Sequence, residues 1–561
     1  MKEIYLDIME KSLSAYTDER IRDYIDEVKR GGLTEHGFPR LAANIGILMA
    51  YGRRTELLDT FIEIMDICCD EMPRKKAAND FSIREVCYCL MLLEGKEIVS
   101  KELLDKWKSR IATFDPWKFY NVVDDHSGPF VANWALFAAV SEYVRGVYCG
   151  IDTSAFVEWQ LPSQLANLDC NGMYQDSPHT FNPMMYDLVP RYLMAFLLRA
   201  GYKGKYAKKI EEALNSSADI TLKMQSVTGE IAFGGRSNQF VHNEPMLSSY
   251  CEMEAARFAE NGDESKAGQF KAAALLAAKA ALRYLNLDPI SHVKNRYDVS
   301  TKIGCEGYGY FNKYMITVAS NVYPALLFAN DSIVPTVAPA EKGGYVISTS
   351  DCFNKTFITA GGYHLQIDTR ANYNHDANGL GRVHKVGCPS ALCLSVPFTA
   401  AGTPGHVIEG QNATPLSICC YTELDGKKLI GSEGYAQYRF IKSESDENKA
   451  EAIFDVKLFW DITVTQKYTV SQNGVDILQS GCENLGFMLP VFAFDGKDNT
   501  KITVAENKIT VEYQGAVCTY SFDGSVDPDY KLYYNRNGRY RGYFIRSKKL
   551  HIEMKEQGNG I

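Results

Sequence analysis

The chain has 561 residues, which is too long for one hydrophobic core and enough for two or three domains. Apolar residues make up 46% of the chain and charged residues 23%, and this ordinary globular composition excludes a disordered or fibrous protein. The net charge is −9 and no long basic run occurs, so we expect no nucleic-acid partner, although an anionic ligand needs only a few local cations.

Residues 1–330 predict a helical domain. Apolar side chains recur there at the i, i+3, i+4 spacing of helices that bury one face. A long series of paired helices joined by short loops forms a toroid in which inner and outer helices alternate, so we predict an (α/α) toroid. The predicted helices are 39–52, 55–70, 79–95, 131–148, 184–200, 204–224, 247–260, 263–286 and 306–328.

The pattern changes after residue 330. A segment rich in Pro, Ala and Val over 331–342 is typical of a linker. Short alternating or β-branched segments separated by Asn-Gly and Asp-Gly turns then predict an antiparallel β-sandwich over 343–561. The whole chain is therefore predicted to be an α+β protein of two domains. The clearest predicted strands are 344–348, 355–359, 459–468 and 501–513.

The N-terminal segment carries Glu3, Asp7 and Glu10 where a secretory signal has its apolar stretch, and no run of 18 apolar residues predicts a membrane span. The fifteen cysteines are scattered, with no zinc-finger spacing. We therefore expect a cytoplasmic protein with reduced thiols and no membrane partner. No cofactor is indicated, and the sequence does not specify an oligomeric state.

Asn133 is a polar residue on an otherwise apolar helical stripe. Phe130, Trp134 and Phe137 surround it at helical spacing. A buried amide needs hydrogen-bond partners or costs about 1–3 kcal/mol, so Asn133 either ties two helices together or belongs to a site.

A loop rich in Gly and Pro over 171–183 leads into a helix that begins with Tyr186 in its first turn. The positive end of the helix dipole favours a phenolate, which predicts a lowered pKa for Tyr186. His179 lies on the same loop and is free to approach the same point. The alternative is a surface histidine and a core tyrosine.

Two glycines precede Arg236, which permits a close backbone approach and presents a guanidinium fork suited to a carboxylate. Asn238 and His242 follow closely, so a solvated turn is the less favoured alternative.

In the sheet half, three of the ten histidines (His364, His375 and His384) fall within a short stretch. A metal site there is conceivable, but the spacing is not that of a known metal motif.

The order of these residues resembles the catalytic set of toroid-type polysaccharide lyases of the hyaluronate and chondroitin lyase group. The matching pieces are Asn133-Trp134, Asn171-Gly172 followed by His179 and Tyr186, and Gly235-Arg236-Ser237. The segment 374–377 is similar to the His-Asp motif of heparinase II/III-like sandwich domains, with Asn374 where that pattern has its first His.

The resemblance implies β-elimination at C4 of a uronic acid, which leaves a 4,5-unsaturated uronate. Asn133 would hold the C6 carboxylate, and Arg236 would share that role or hold Tyr186 towards its phenolate form. His179 or Tyr186 would remove the C5 proton, and Tyr186 would protonate the leaving oxygen. The implied partner is an anionic oligosaccharide, such as rhamnosyl-α-1,4-glucuronate or a glycosaminoglycan-like chain.

Seven further residues are expected to bind the sugar, two of them on the sheet domain. They are Trp134, Tyr174, Asn238, His242, Tyr308, His364 and His375.

Two alternatives remain open: a non-catalytic glycan-binding protein, and a glycoside hydrolase on the same toroid, which needs two carboxyl groups about 5–9.5 Å apart. The carboxyl groups open to a hydrolase are Asp124, Asp125, Asp176, Asp187 and Glu244.

Overall fold

The computed structural model describes residues 2–123, 132–176, 181–399, 407–410, 415–459 and 461–557. Its helices lie before residue 343 and its strands after residue 344. The helices are α1 (Lys2–Ser14), α2 (Asp18–Gly31), α3 (Gly37–Ala50), α4 (Leu58–Glu71), α5 (Ile83–Leu93), α6 (Lys101–Ala112), α7 (Pro116–Phe119), α8 (Asn133–Cys149), α9 (Ser154–Leu165), α10 (Met184–Arg199), α11 (Ala207–Met224), α12 (Asn243–Glu260), α13 (Glu264–Leu285), α14 (Phe311–Phe328) and α15 (Pro339–Lys342).

Six helices close into a ring. Helix α3 contacts α5, and contacts then run through α8, α10, α12 and α14 back to α3. Outer helices cover this ring: α4 packs on α3, α6 and α9 on α8, α11 on α10, α13 on α12, and α1 on α14. The predicted toroid is confirmed.

Burial explains which helices became the inner ring. Every residue of α3 is buried, and apart from Arg40 and Asn44 its sequence is apolar or small, as expected of a helix covered on every side. Helix α11 buries one stripe, which includes Ile210, Leu214 and Leu222, and it leaves its lysines and glutamates in solvent. All nine predicted helices are present, with ends shifted by a few residues.

The strands form antiparallel sheets, in the orders β1-β2-β3-β4, β12-β13-β14-β17-β10-β9-β8-β7 and β15-β16-β11-β5-β6. One hydrophobic core draws on all three sheets, which confirms the predicted antiparallel β fold. The strands are β1 (Tyr345–Ser348), β2 (Lys355–Ala360), β3 (Tyr363–Asp368), β4 (Gly379–Lys385), β5 (Cys419–Leu424), β6 (Lys427–Ile430), β7 (Gln437–Ser445), β8 (Lys449–Phe459), β9 (Ile462–Ser471), β10 (Gly474–Ser480), β11 (Gly486–Phe494), β12 (Lys501–Ala505), β13 (Lys508–Tyr513), β14 (Ala516–Phe522), β15 (Ser525–Tyr534), β16 (Arg539–Arg546) and β17 (Lys549–Glu556).

Two predicted strands contain turns. The segment 501–513 is the hairpin β12–β13, and the segment 459–468 runs from the end of β8 into β9. Periodicity of two continues across such a tight turn, because both strands alternate inward and outward side chains on the same sheet. The predicted turns at Gly474, Gly496, Gly524 and Gly538 follow or begin strands, with φ between 107° and 155°.

The segment predicted as a linker, 331–342, packs on the helical part. Ile333 is buried, and the Thr336 N–H donates to the carbonyl of Gly268 in α13 at 3.0 Å. Helices end at Lys342 and strands begin at Tyr345, so we keep the division at 331–342 as a proposal.

The sheet β1–β4 lies against the loop that follows α11. The Phe233 N–H donates to Gln366 Oε1 at 2.8 Å, and Arg382 Nη1 donates to the Ile231 carbonyl at 2.6 Å. Hydrogen bonds from the sheet therefore support the loop that carries Arg236.

The fifteen cysteines all lie within the described ranges, and none is in a disulfide. Across the described residues, no helix combines the length and the apolar character that a membrane crossing needs. These residues also hold no group of three His, Cys, Asp or Glu side chains that would coordinate a metal ion.

Candidate active site

A cleft of about 400 Å³ opens at the centre of the helical ring, between α3, α8, α10, α12 and α14. The sequence-predicted residues that line it come from distant parts of the chain. They are Asn133, Trp134, Tyr186, Arg236, His242 and Tyr308.

Tyr186 lies in the first turn of α10, as predicted. Its hydroxyl is 2.9 Å from Ser237 Oγ, which is in turn 2.6 Å from the hydroxyl of Tyr308. The guanidinium carbon of Arg236 lies 4.5 Å from the centroid of the Tyr186 ring. These contacts give the phenol a hydrogen-bonded chain on one side and a cation above its face.

The predicted lowering of the Tyr186 pKa is wrong. Burial raises the pKa of this phenol, and this effect outweighs the lowering by the charge of Arg236 and by hydrogen bonds from Ser237 and Tyr308. Removing a phenolate from water costs more free energy than the positive end of a helix contributes to its stabilisation, so the pKa is raised and not lowered. Tyr186 therefore holds its proton at neutral pH and is a proton donor in the resting protein.

Asp176 joins Asn133 to Arg236. Its Oδ1 accepts from both the backbone N–H and the Nδ2 of Asn133, each at 3.0 Å, and its Oδ2 accepts from Arg236 Nη2 at 3.0 Å. Asn133 is the first residue of α8, so this carboxylate also caps the positive end of the helix. The sequence indicated Asp176 only as a hydrolase carboxyl group, and no motif predicted this connecting role.

The loop that carries Arg236 is held from several sides. Gly235 has φ of 78°, and a Cβ at this position would lie 2.8 Å from the backbone of Pro183, so the close approach requires glycine. The Gly235 N–H donates to Asp376 Oδ2 at 2.8 Å, and the Ser237 N–H donates to Glu306 Oε1 at 2.5 Å. Arg536, from the sheet half, donates to the Gly235 carbonyl at 3.1 Å.

Four predicted sugar-binding residues do not line the cleft: Asn238, Tyr174, His364 and His375. Asn238 bonds to backbone atoms of its own loop, accepting from the Gly234 N–H and donating to the Ala232 carbonyl. The hydroxyl of Tyr174 is buried against Gln164. His364 is fully buried, with Nδ1 2.9 Å from the hydroxyl of Thr359. Each of these three side chains is hydrogen-bonded to a neighbouring segment.

His375 is half-buried on the loop between β3 and β4, outside the lining of the cleft. Its carbonyl accepts from Arg536 Nη2 at 2.5 Å. Burial, with Arg536 as the next cause, lowers the pKa of His375 to about 4, so its imidazole is neutral. His179, Asp124 and Asp125 lie outside the described residues.

Two of the carboxyl groups open to a hydrolase, Asp187 and Glu244, are engaged elsewhere. Asp187 is buried, accepts from the Tyr174 N–H at 2.7 Å and pairs with Arg191, while Glu244 is buried and pairs with Lys294 at 2.6 Å. Among the described residues that line the cleft, none is Asp or Glu.

The far end of the cleft holds basic residues that the sequence analysis missed. His36 precedes α3, Arg40 lies in α3, and Lys313 lies in α14. Arg40 donates from Nε to Glu85 at 3.1 Å and from Nη1 to Thr317 at 3.0 Å. The only sequence signal for this group was a histidine three residues before the predicted helix 39–52.

Several solved structures are similar to this chain in fold, at low sequence identity. This chain is similar to a heparinase III gene product at 9% sequence identity, over 93% of this chain and 79% of that one, with a TM-score of 0.47. It is also similar to a heparan sulfate lyase mutant from Pedobacter heparinus (10% identity, 93% and 74% covered, TM-score 0.41) and to a β-L-arabinofuranosidase from Geobacillus stearothermophilus (12%, 99% and 98%, TM-score 0.35). No family model and no curated protein matches the chain.

Proposed function

We propose that this protein is a lyase that cleaves the glycosidic bond at C4 of a uronic acid by β-elimination. The observation that supports it best is the Tyr186 phenol, which lies in the cleft with Arg236 over its ring and Ser237 at its hydroxyl. A hydrolase would need a pair of carboxyl groups in the same place.

Tyr186 is the proposed acid that protonates the leaving oxygen. Because its pKa is raised, the phenol carries a proton when substrate binds. As the C4–O bond breaks, this proton passes to the departing oxygen, and the phenolate that forms is stabilised by the guanidinium of Arg236 and the hydroxyl of Ser237.

Asn133 and Arg236 are the proposed ligands of the C6 carboxylate. Asp176 engages one N–H of the Asn133 amide and the Nη2 of Arg236, which leaves the other amide N–H and the other guanidinium donors for the substrate. These donors stabilise the enolate-like charge that builds up when the C5 proton leaves. Because Tyr186 is protonated in the resting protein, the proposed base is His179: it takes the C5 proton, the electron pair of the C5–H bond becomes the C4–C5 double bond, and the electron pair of the C4–O bond leaves with the oxygen that Tyr186 protonates.

The test is ultraviolet absorbance during incubation with glucuronate-containing oligosaccharides, including rhamnosyl-glucuronate. Elimination produces a double bond conjugated with the carboxylate, so absorbance rises with each cleavage. We expect Tyr186→Phe to lower kcat by at least about 10²-fold, because one acid–base group contributes about 10² to 10⁴. Tyr530→Phe, at a surface position 93% exposed, is the matched control. New reducing ends without absorbance would establish a hydrolase instead.

A further inference from the structure

The far end of the cleft carries a cation that is not paired. Lys313 lies half-buried at the start of α14, and its ammonium makes no hydrogen bond or ion pair to any described residue. It lies 5.4 Å from the centroid of the Tyr314 ring. Glu35, the carboxylate that acts on it electrostatically, is engaged by the Tyr24 hydroxyl and the Gly37 N–H.

Three buried polar atoms around the same end have no partner among the described residues. They are Nδ1 of His36, Nδ1 of His242 and Oδ1 of Asn321. Both histidines are 5% exposed, and all three residues line the cleft. An unsatisfied buried polar group costs about 1–3 kcal/mol, so three of them around one cavity point to a polar ligand. The imidazole N–H groups need acceptors such as an anion's oxygens, and the Oδ1 of Asn321 needs a donor such as a sugar hydroxyl.

Aromatic rings connect this end to the proposed reaction centre. Tyr308, which is linked to Tyr186 through Ser237, has its ring centroid 6.1 Å from that of Tyr314. The Tyr314 ring lies 5.6 Å from the imidazole of His242 and 6.2 Å from that of His36. A sugar next to the cleaved bond would extend over this row of rings.

We propose that Lys313, His36 and His242 form a second subsite, which binds an anionic group, a carboxylate or a sulfate ester, on the sugar next to the uronate. Lys313 supplies the charge, and the imidazoles donate N–H groups to the anion's oxygens. The substrate class is then an oligosaccharide with charges on two adjacent sugars. This inference rests on the proposed function for the position of the uronate.

Both imidazoles, those of His36 and His242, are neutral. Burial lowers the pKa of His36 and of His242 well below the usual histidine range, and Arg40 contributes in the same direction. Because both rings are neutral, the positive charges of Arg40 and Lys313 are not joined by two imidazolium charges. Each neutral ring still has one N–H donor.

The experiment compares substrates that share the cleaved bond. In one the neighbouring sugar is neutral, in a second it bears a carboxylate, and in a third a sulfate. We expect the KM of the wild-type protein to be at least about tenfold lower for a charged neighbour than for a neutral one, which is about 1.4 kcal/mol. Lys313→Gln should abolish this preference, and Lys313→Arg should restore most of it.

Lys209→Gln is the matched control, since Lys209 lies exposed on the outer helix α11. It should keep the full preference. An equal preference in Lys313→Gln and wild type, or no preference in wild type, would overturn the subsite.

A binding measurement separates the two proposals. Calorimetry with Tyr186→Phe records the affinity for the same three oligosaccharides without turnover. Binding of charged sugars that depends on Lys313, with no unsaturated product from wild type, would retain the subsite and reject the lyase. Unsaturated product from wild type, with affinities and KM values that do not depend on Lys313, would reject the subsite and retain the lyase.

Discussion

The backbone N–H of Gly235 donates a 2.8 Å hydrogen bond to the Oδ2 of Asp376, and this bond links the loop before Arg236 to the sheet half of the molecule. Asp376 is buried, and its Oδ2 also lies 3.7 Å from the ammonium of Lys355. Lys355 in turn pairs with Asp368 at 2.5 Å. A buried ionic group of the sheet therefore determines where Arg236 lies over the cleft.

We expect Asp376→Ala to lower kcat about tenfold with a smaller change in KM. The substitution leaves the Gly235 N–H without its acceptor, which costs about 1–3 kcal/mol and loosens the loop that aligns Arg236 with Tyr186. Asp376→Asn retains an oxygen acceptor and should recover most of kcat. Initial rates from the absorbance assay measure both. A purely structural role would instead lower the amount of folded protein and leave kcat per folded molecule unchanged.

How far the fold could be predicted depended on the width of each apolar stripe. The inner helix α3 is apolar or small except at Arg40 and Asn44, so it was predicted within two residues at either end. Helix α2 was missed because charged residues dominate it and only Ile21, Tyr24, Ile25 and Val28 are buried. In such an outer helix the apolar positions are too few to stand out from the surrounding polar sequence.

The site residues that could be predicted from the sequence are those that follow Gly or Pro residues. Tyr186 and Arg236 stood out because turn residues precede each of them. The link through Asp176 depends on two segments that meet only in the folded chain. The direction of the Tyr186 pKa depends on how deeply the ring is buried, and periodicity carries no information on burial of one ring in a cleft.

Asp176→Asn should lower kcat/KM by about tenfold or more with little change in stability. The variant retains an acceptor for Asn133 but loses the charge that holds Arg236. The side chain of Arg236 is 45% exposed, so breaking this ion pair should change the free energy of unfolding by less than about 1 kcal/mol. Asp455→Asn removes a comparable pair with Arg439 on the sheet surface and should leave activity unchanged. Equal rates for both variants would exclude Asp176 from the site.

Asp187→Ala should lower the free energy of unfolding by about 3–5 kcal/mol, because it leaves the buried charge of Arg191 uncompensated. The Tyr174 N–H also loses its acceptor. Urea unfolding followed by circular dichroism measures the loss, with the exposed pair partner Asp219→Ala as control. A stable Asp187→Ala protein without turnover would instead make Asp187 a catalytic carboxylate and favour the hydrolase.

His292 should make the protein less stable at acid pH. Its Nε2 is 2.8 Å from the Gly309 carbonyl, and burial lowers the pKa of its imidazole to about 4, against the opposing effect of this hydrogen bond. The unfolded chain therefore binds a proton at about pH 6.5, whereas the folded protein binds it only near pH 4. Above about pH 6.5 the imidazole is neutral in both states and does not change the free energy of unfolding. As the pH falls from about 6.5 to 4, protonation of the unfolded chain lowers the free energy of unfolding, by roughly 3 kcal/mol for this one group. His292→Gln retains an N–H donor for Gly309 and cannot be protonated, so its urea midpoint should fall less between pH 6.5 and 4 than that of the wild type. The surface variant His551→Gln should follow the wild type, and an equal fall in His292→Gln would show that burial of His292 does not contribute to the acid sensitivity.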